Sequence, residues 1–187
     1  EELKKQGISL KMINVGGGLP SNYLIPTRSI PYYCQKIKSY LKTHFGSNMP
    51  TINIEPGRYI AGSAGILVTQ AILITKKAKS LPYDWLYIDA GIYQGLDECT
   101  NESIKYIIKT DIQATDIQAT KTKEYIIAGP TCDSHDILYE KTKYVLPSNI
   151  KEGSNVYFLT TGAYTYQVSA IGFNGFPPLK VYILPSK

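Results

Sequence analysis

An α/β segment followed by an antiparallel all-β segment is the architecture this sequence predicts. Two patterns predict it. Before residue 65, two apolar runs of strand length flank one helix-periodic run. After Gly65, strand-like runs follow one another, separated by turn residues and with no amphipathic helix between them. At 187 residues, 43% hydrophobic and 19% charged, the chain can build a core for one globular domain or two small ones. The expected division is 1–64 and 65–187.

Residues 8–15 (ISLKMINV) form an apolar-rich run between Gly7 and the triplet Gly16-Gly17-Gly18, the pattern of a buried strand entering a loop. Ser29 stands where a helix cap belongs, with Pro31 just inside. Cys34, Ile37, Leu41 and Phe45 then recur at helical spacing until Gly46 stops the run. Residues 51–55 (TINIE) are a short strand ended by Pro56-Gly57. Strand, helix, strand is the signature of a parallel sheet or barrel. Further strands are expected at 66–74, 85–89, 106–108, 125–128, 155–160 and 179–184. The segment 110–120 (TDIQATDIQAT) is a tandem pentamer, too short a period for a repeat architecture, and reads as a lengthened hairpin or loop.

Composition excludes several classes. The balance of hydrophobicity and charge rules out general disorder. No apolar run approaches the roughly 18 residues of a membrane span, and the Glu-Glu-Leu-Lys-Lys start is no signal peptide. Three scattered cysteines (Cys34, Cys99, Cys132) make neither a disulfide framework nor a zinc cluster, so no metal is expected, and the chain reads as cytoplasmic. The net charge of +5 is spread over lysines rather than gathered into a stripe, the pattern of a solvated surface and not of a nucleic-acid groove. The chain opens on Glu1 in what reads as the tail of a helix, which suggests the C-terminal part of a longer polypeptide or one product of a split gene.

Five turns carry candidate chemistry. Gly16-Gly17-Gly18 lets backbone N–H groups approach an anion with no Cβ in the way. Glu55-Pro56-Gly57-Arg58 puts a carboxylate and one of the two arginines at a strand end, where the planar guanidinium suits phosphate. Gly129–Asp136 (GPTCDSHD) places a thiol and carboxylates on one turn, with Cys132 and Asp133 facing a ligand and His135 and Asp136 read as surface or capping residues. Gly162-Ala163-Tyr164-Thr165 and the turn FNGFP (173–177) lie between the last strands.

In this order and spacing, INVGGGLP, IEPGRYIAGSAG, AGPTCDSHDIL and GAYTYQVSAIGFNGFPP closely resemble the C-terminal half of the ornithine/diaminopimelate decarboxylase family over essentially the whole chain. GPTCDS, GAYT and FNGF favour the ornithine branch, and GIYQGLDECTNESIKYII is similar to the bacterial ornithine or dual lysine/ornithine subtype. The resemblance implies the C-terminal part of a TIM-like β/α barrel, then an antiparallel β domain, with pyridoxal 5'-phosphate as cofactor. Gly16, Gly17 and Gly18 would give backbone donors to the cofactor phosphate, Gly57 and Arg58 would complete that site, and Tyr164 would add its hydroxyl. Glu55 would hold the protonated pyridine nitrogen. Glu102 would sit near the substrate's distal ammonium. Cys132 and Asp133 would cross a two-fold dimer interface, Cys132 directing protonation of the product carbon and Asp133 binding the distal amine.

The family's Schiff-base lysine motif, of the YAVK type, does not occur here, and neither His44 nor His135 can replace the histidine that stacks on the cofactor ring. The resemblance therefore implies the C-terminal portion of an L-ornithine decarboxylase, making putrescine and CO2, that is inactive without the N-terminal half carrying the Schiff-base lysine, with a homodimer or that complementing half as its partner. A non-catalytic regulatory or binding homologue and a decayed gene fragment are the rival readings. Ornithine and lysine differ by one methylene, worth only about 1–3 kcal/mol in a pocket.

Overall fold

A computed structural model describes residues 2–112 and 121–185. The first part holds α1 (Glu2–Lys5), β1 (Met12–Asn14), α2 (Ile30–Phe45), β2 (Thr51–Asn53) and α3 (Gly57–Ala61). β1 and β2 pair in parallel, with Ile13 opposite Ile52. Both strands are shorter than their apolar runs, because each has a single partner here and pairing stops where that partner ends. Helix α2 matches its periodicity: Leu41 is buried, Pro31 occupies the first turn, and the Gly46 N–H closes the helix on the Lys42 carbonyl at φ 58°.

The second part is a six-stranded sheet of β3 (Ile66–Thr75), β4 (Asp84–Ile88), β5 (Ile107–Thr110), β6 (Thr122–Ala128), β7 (Ile137–Pro147) and β8 (Asn155–Leu159). Their order is β5-β8-β3-β4-β6-β7. The pairings are antiparallel except β4 with β6, which run parallel. That one parallel pair forces a crossover from residue 89 to residue 121, and the crossover carries Tyr93, Glu98, Cys99 and Glu102.

β4 after Asp84 and the second half of β6 (Tyr125 to Ala128) are hydrophobic throughout because both faces are covered. Leu86, Ile88, Tyr125 and Ile127 enter the main core with Tyr106, Leu138, Tyr139, Val156 and Phe158. Trp85, Ile126 and Ala128 pack on the opposite face. Tyrosine hydroxyls draw the sheet's ends together, giving a nearly closed, barrel-like sheet. Tyr144 donates to the Tyr106 carbonyl at 2.7 Å, and Tyr139 to the Ile104 carbonyl at 2.9 Å.

Two sequence expectations need correction. Residues 179–184 form no strand: Val181, Tyr182, Ile183 and Leu184 are exposed and pair with no strand among the described residues. Conversely β7, the longest strand, has no counterpart among the expected ones. Its centre (Glu140-Lys141-Thr142-Lys143) breaks the apolar alternation because it is bulged. Between the Tyr125↔Tyr144 and Ile127↔Tyr139 pairs, β6 advances by two residues and β7 by five. The tandem pentamer falls mostly in 113–120, outside the described residues. No helix among the described residues is long and apolar enough to cross a membrane.

Candidate active site

At the end of β1 the chain turns through three glycines, with φ 73° at Gly16 and 86° at Gly18, a region that side chains with a Cβ rarely adopt. Gly17 is required for a different reason: a Cβ there would lie 2.6 Å from the Glu55 carbonyl oxygen. The glycine turn therefore sits directly against the end of β2, and the Glu55 N–H donates to the Gly16 carbonyl at 2.8 Å. Asn14 links the two. Its Nδ2 donates to Glu55 Oε1 at 2.6 Å, and its Oδ1 accepts the Gly16 N–H at 2.8 Å. The Glu55 carboxylate is thus oriented at the mouth of the strand pair, and the residue is exposed.

Arg58 follows one turn later at the start of α3. Nη1 donates to Glu98 Oε2 at 2.7 Å and to the Tyr23 hydroxyl at 2.9 Å, and Nη2 donates to Glu98 Oε1. The guanidinium lies 4.8 Å from the Tyr164 ring centre and 5.9 Å from that of Tyr23. The Glu98 hydrogen bond, against a smaller desolvation effect, holds Arg58 charged well above the ordinary range. A forked pair of this kind is the strong form of Arg–carboxylate contact. Both terminal nitrogens engage Glu98 here, so Arg58 ties the crossover to the β2–α3 turn beside the Tyr164 ring. Tyr164, itself at φ 56°, brings its hydroxyl to 3.8 Å from where a Gly57 Cβ would stand.

A second group forms on the loop between β6 and β7. Cys132 is exposed, and Asn174 Nδ2 approaches its Sγ at 3.7 Å. Asp133 Oδ1 accepts the His135 N–H at 2.7 Å. Tyr93 stacks on Phe173 with ring centres 3.8 Å apart. Desolvation, and then the neighbouring Asp133 carboxylate, raise the Tyr93 phenol above its ordinary value. His135 is exposed, as expected, but Asp136 is 2% exposed and not a surface residue. Among the described residues, no hydrogen bond joins Cys132 or Asp133 to Glu55, Arg58 or Tyr164.

Glu102 lies on the crossover against the centre of β7. Its carboxylate accepts the N–H groups of Lys141 and Thr142 at 2.6 and 3.0 Å, with Lys105 Nζ at 3.8 Å. These are donors that the β7 bulge strips from the sheet, so Glu102 caps the bulge. Desolvation opposes ionisation, but the Thr142 and Lys141 hydrogen bonds outweigh it and hold the carboxyl below its ordinary 4.5. A folded-state value below the unfolded one contributes stability that is complete above the unfolded value and lost as pH falls through the folded one. Glu102→Gln is therefore expected to cost about 1–2 kcal/mol at pH 7, the charge-assisted part of these bonds. In urea unfolding series the gap between wild type and variant should close as pH falls through the depressed value. A gap independent of pH would contradict this assignment.

Reasoning from sequence missed Asn14, Tyr23, Tyr93 and Glu98. Asn14, a polar residue between the apolar Ile13 and Val15 and just ahead of the glycines, was the one visible signal; Tyr23 and Glu98 act through Arg58, 35 and 40 residues away.

The profile of the pyridoxal-dependent decarboxylase C-terminal sheet domain matches residues 32–162. That of the pyridoxal-dependent decarboxylase pyridoxal binding domain matches residues 1–62. Diaminopimelate decarboxylase of Staphylococcus aureus is 32% identical over 90% of this chain and 39% of its own length. Ornithine decarboxylase of Schizosaccharomyces pombe is 26% identical over 96% of this chain and 40% of its own. The structure of Vibrio vulnificus lysine/ornithine decarboxylase complexed with cadaverine superposes with a TM-score of 0.74 and 28% identity, covering 95% of this chain and 45% of that one. The chain thus spans about two fifths of the length of these curated relatives.

The residues present suit pyridoxal phosphate. The glycine turn packs against the end of β2 with no side chain between, the Tyr164 hydroxyl stands beside Gly57, and Glu55 offers an oriented carboxylate. With both profiles matched across residues 1–162 and a site suited to the cofactor, the chain belongs to the pyridoxal-dependent decarboxylases of basic amino acids, joining the end of their cofactor-binding domain to their sheet domain.

Proposed function

We propose that this chain is the C-terminal portion of an ornithine decarboxylase, forming putrescine and CO2 from L-ornithine, and that it works only with an N-terminal half bearing the Schiff-base lysine. When bound, pyridoxal phosphate supplies the electron sink for the pair left by loss of CO2. Gly17 and Gly18 would offer main-chain N–H groups to the phosphate, Gly16 and Gly57, whose own N–H groups bond Asn14 and the Glu55 carbonyl, would shape its turn, and Tyr164 would add its hydroxyl. Arg58 holds Tyr164 and the crossover in place. Glu55, oriented by Asn14, keeps a proton on the pyridine nitrogen. Asp133 of one subunit binds the substrate's distal ammonium in its partner's site in a two-fold homodimer, and Cys132 stands where a proton returns to the substrate carbon. Glu102 acts on this site indirectly, by fixing the β7 bulge.

The observation that carries the ornithine reading is the charge inventory around the site. Asp133 is a carboxylate fit for an ammonium. Arg58, the arginine at this site, is committed to Glu98, which leaves this chain no guanidinium there for a second carboxylate. A diaminopimelate decarboxylase is the second reading, supported by the 32% identity with the Staphylococcus aureus enzyme. Mixing or fusing the chain with a matching N-terminal half should release CO2 from carboxyl-labelled L-ornithine and yield putrescine. No CO2 from ornithine in a folded, cofactor-loaded assembly would overturn the proposal.

A further inference from the structure

We infer that Asp136 is the positioning residue of the Cys132–Asp133 loop: its buried carboxylate ties that loop to the turn carrying Tyr93 and so sets where Cys132 and Asp133 project. The inference rests on the reading of Cys132 and Asp133 given above. Asp136 Oδ1 accepts the Ile92 N–H at 2.8 Å. Its Oδ2 accepts the Thr131 N–H at 3.1 Å and the Thr131 hydroxyl at 2.7 Å. The main chain adds two bonds, Asp136 N–H to the Asp133 carbonyl at 3.1 Å and Gly129 N–H to the Asp136 carbonyl at 2.8 Å.

The carboxylate has been given room. A Cβ at Gly91 would lie 2.0 Å from Asp136 Oδ1, and one at Gly129 would lie 2.3 Å from it. Gly91 has φ −137°, and Gly129 is not at positive φ either, so backbone freedom is not what these positions need. They are glycine because a buried acid stands between them. A carboxylate is costly to bury and tolerable only when its oxygens are satisfied. Here three donors from two separate turns satisfy it, which makes it a joint. The main chain completes the joint: Asp136 fixes Ile92, next to Tyr93, and the Asp136 N–H returns to the Asp133 carbonyl.

The test compares Asp136→Asn, Thr131→Val and Asp133→Ala in the full enzyme, following amide hydrogen exchange and the dissociation constant of cadaverine. Asp136→Asn keeps the shape but turns a donor toward Thr131. Its Thr131 and Ile92 amides should exchange about tenfold faster, the loss of one charge-assisted bond, with Leu86 and Ile127 in the sheet core unchanged. Cadaverine should bind about tenfold more weakly, as expected when an ammonium loses an oriented carboxylate. Thr131→Val removes only the hydroxyl and should move both readouts the same way by less; it decides the matter if Asp136→Asn does not fold. Unchanged exchange, or faster exchange with unaltered cadaverine affinity, would overturn the inference. Asp133→Ala separates the two layers. It should weaken cadaverine while leaving Thr131 and Ile92 exchange intact. If it binds cadaverine as wild type does, the amine-binding reading of Asp133 fails, and exchange in Asp136→Asn alone decides the anchoring.

Discussion

Arg58→Ala is expected to weaken pyridoxal phosphate binding by about one to two orders of magnitude, and Glu98→Ala nearly as much. The two residues form one forked pair whose side chains are 22% and 21% exposed. Removing either partner leaves the other charge half-buried, with stability costs of about 2–3 kcal/mol once the partial exposure is discounted from the fully buried case. The effect on cofactor follows from what the pair supports: the Arg58 guanidinium underlies the Tyr164 ring, and Tyr164 brings its hydroxyl to Gly57. The sign for Glu98→Ala is the informative part. If Arg58 held the phosphate directly, freeing its fork from Glu98 would tighten binding. If Arg58 is a rivet, losing Glu98 loosens it. Fluorimetric titration of the two variants with pyridoxal phosphate distinguishes these, and tighter binding in Glu98→Ala would contradict the rivet.

The second large effect is recovery of activity by mixing two dead proteins. Glu55→Ala should abolish turnover through its own chain's cofactor site at little cost in stability, since Glu55 is exposed. Asp133→Ala should abolish it through the partner's site. In a two-fold dimer with shared sites, random pairing puts both defects in one site of a mixed dimer and leaves the other intact. Half the dimers are mixed and half their sites are sound, so recovery should approach about a quarter of wild-type activity. A mixture that exchanges subunits, shown by mass, and stays as inactive as its parents would assign Asp133 to its own chain's pocket or to a structural turn.

What the sequence makes legible here is local. The helical spacing of Ile37, Leu41 and Phe45 and the strand-like runs at 66–74 and 155–160 are short-range patterns, and their elements stand close to where the patterns put them. The glycine triplet and the Glu55–Arg58 turn are legible because a strand end and special backbone freedom leave a mark in consecutive residues. Partnerships leave no such mark. Nothing near Arg58 announces Glu98, forty residues on, as the carboxylate that occupies its fork. Nothing near Glu102 announces the β7 bulge whose N–H groups it caps. The same blindness works in reverse at 179–184, where apolar residues read as a strand but no neighbouring strand lies within reach among the described residues. Of the two readings of Asp136, surface or capping, the capping one fits: its carboxylate accepts the Ile92 and Thr131 N–H groups, and only the two glycines folded around it show that it is buried.

Ranking of substrates tests the central claim most directly. With the complete enzyme, kcat/KM for CO2 release should be at least about a hundredfold higher for L-ornithine than for meso-diaminopimelate, because a second carboxylate brought against Asp133 would be left unpaired. Lysine should fall within about two orders of magnitude of ornithine, the range set by one methylene. A preference for meso-diaminopimelate would contradict the account and assign the chain to the branch that its Staphylococcus aureus relative represents.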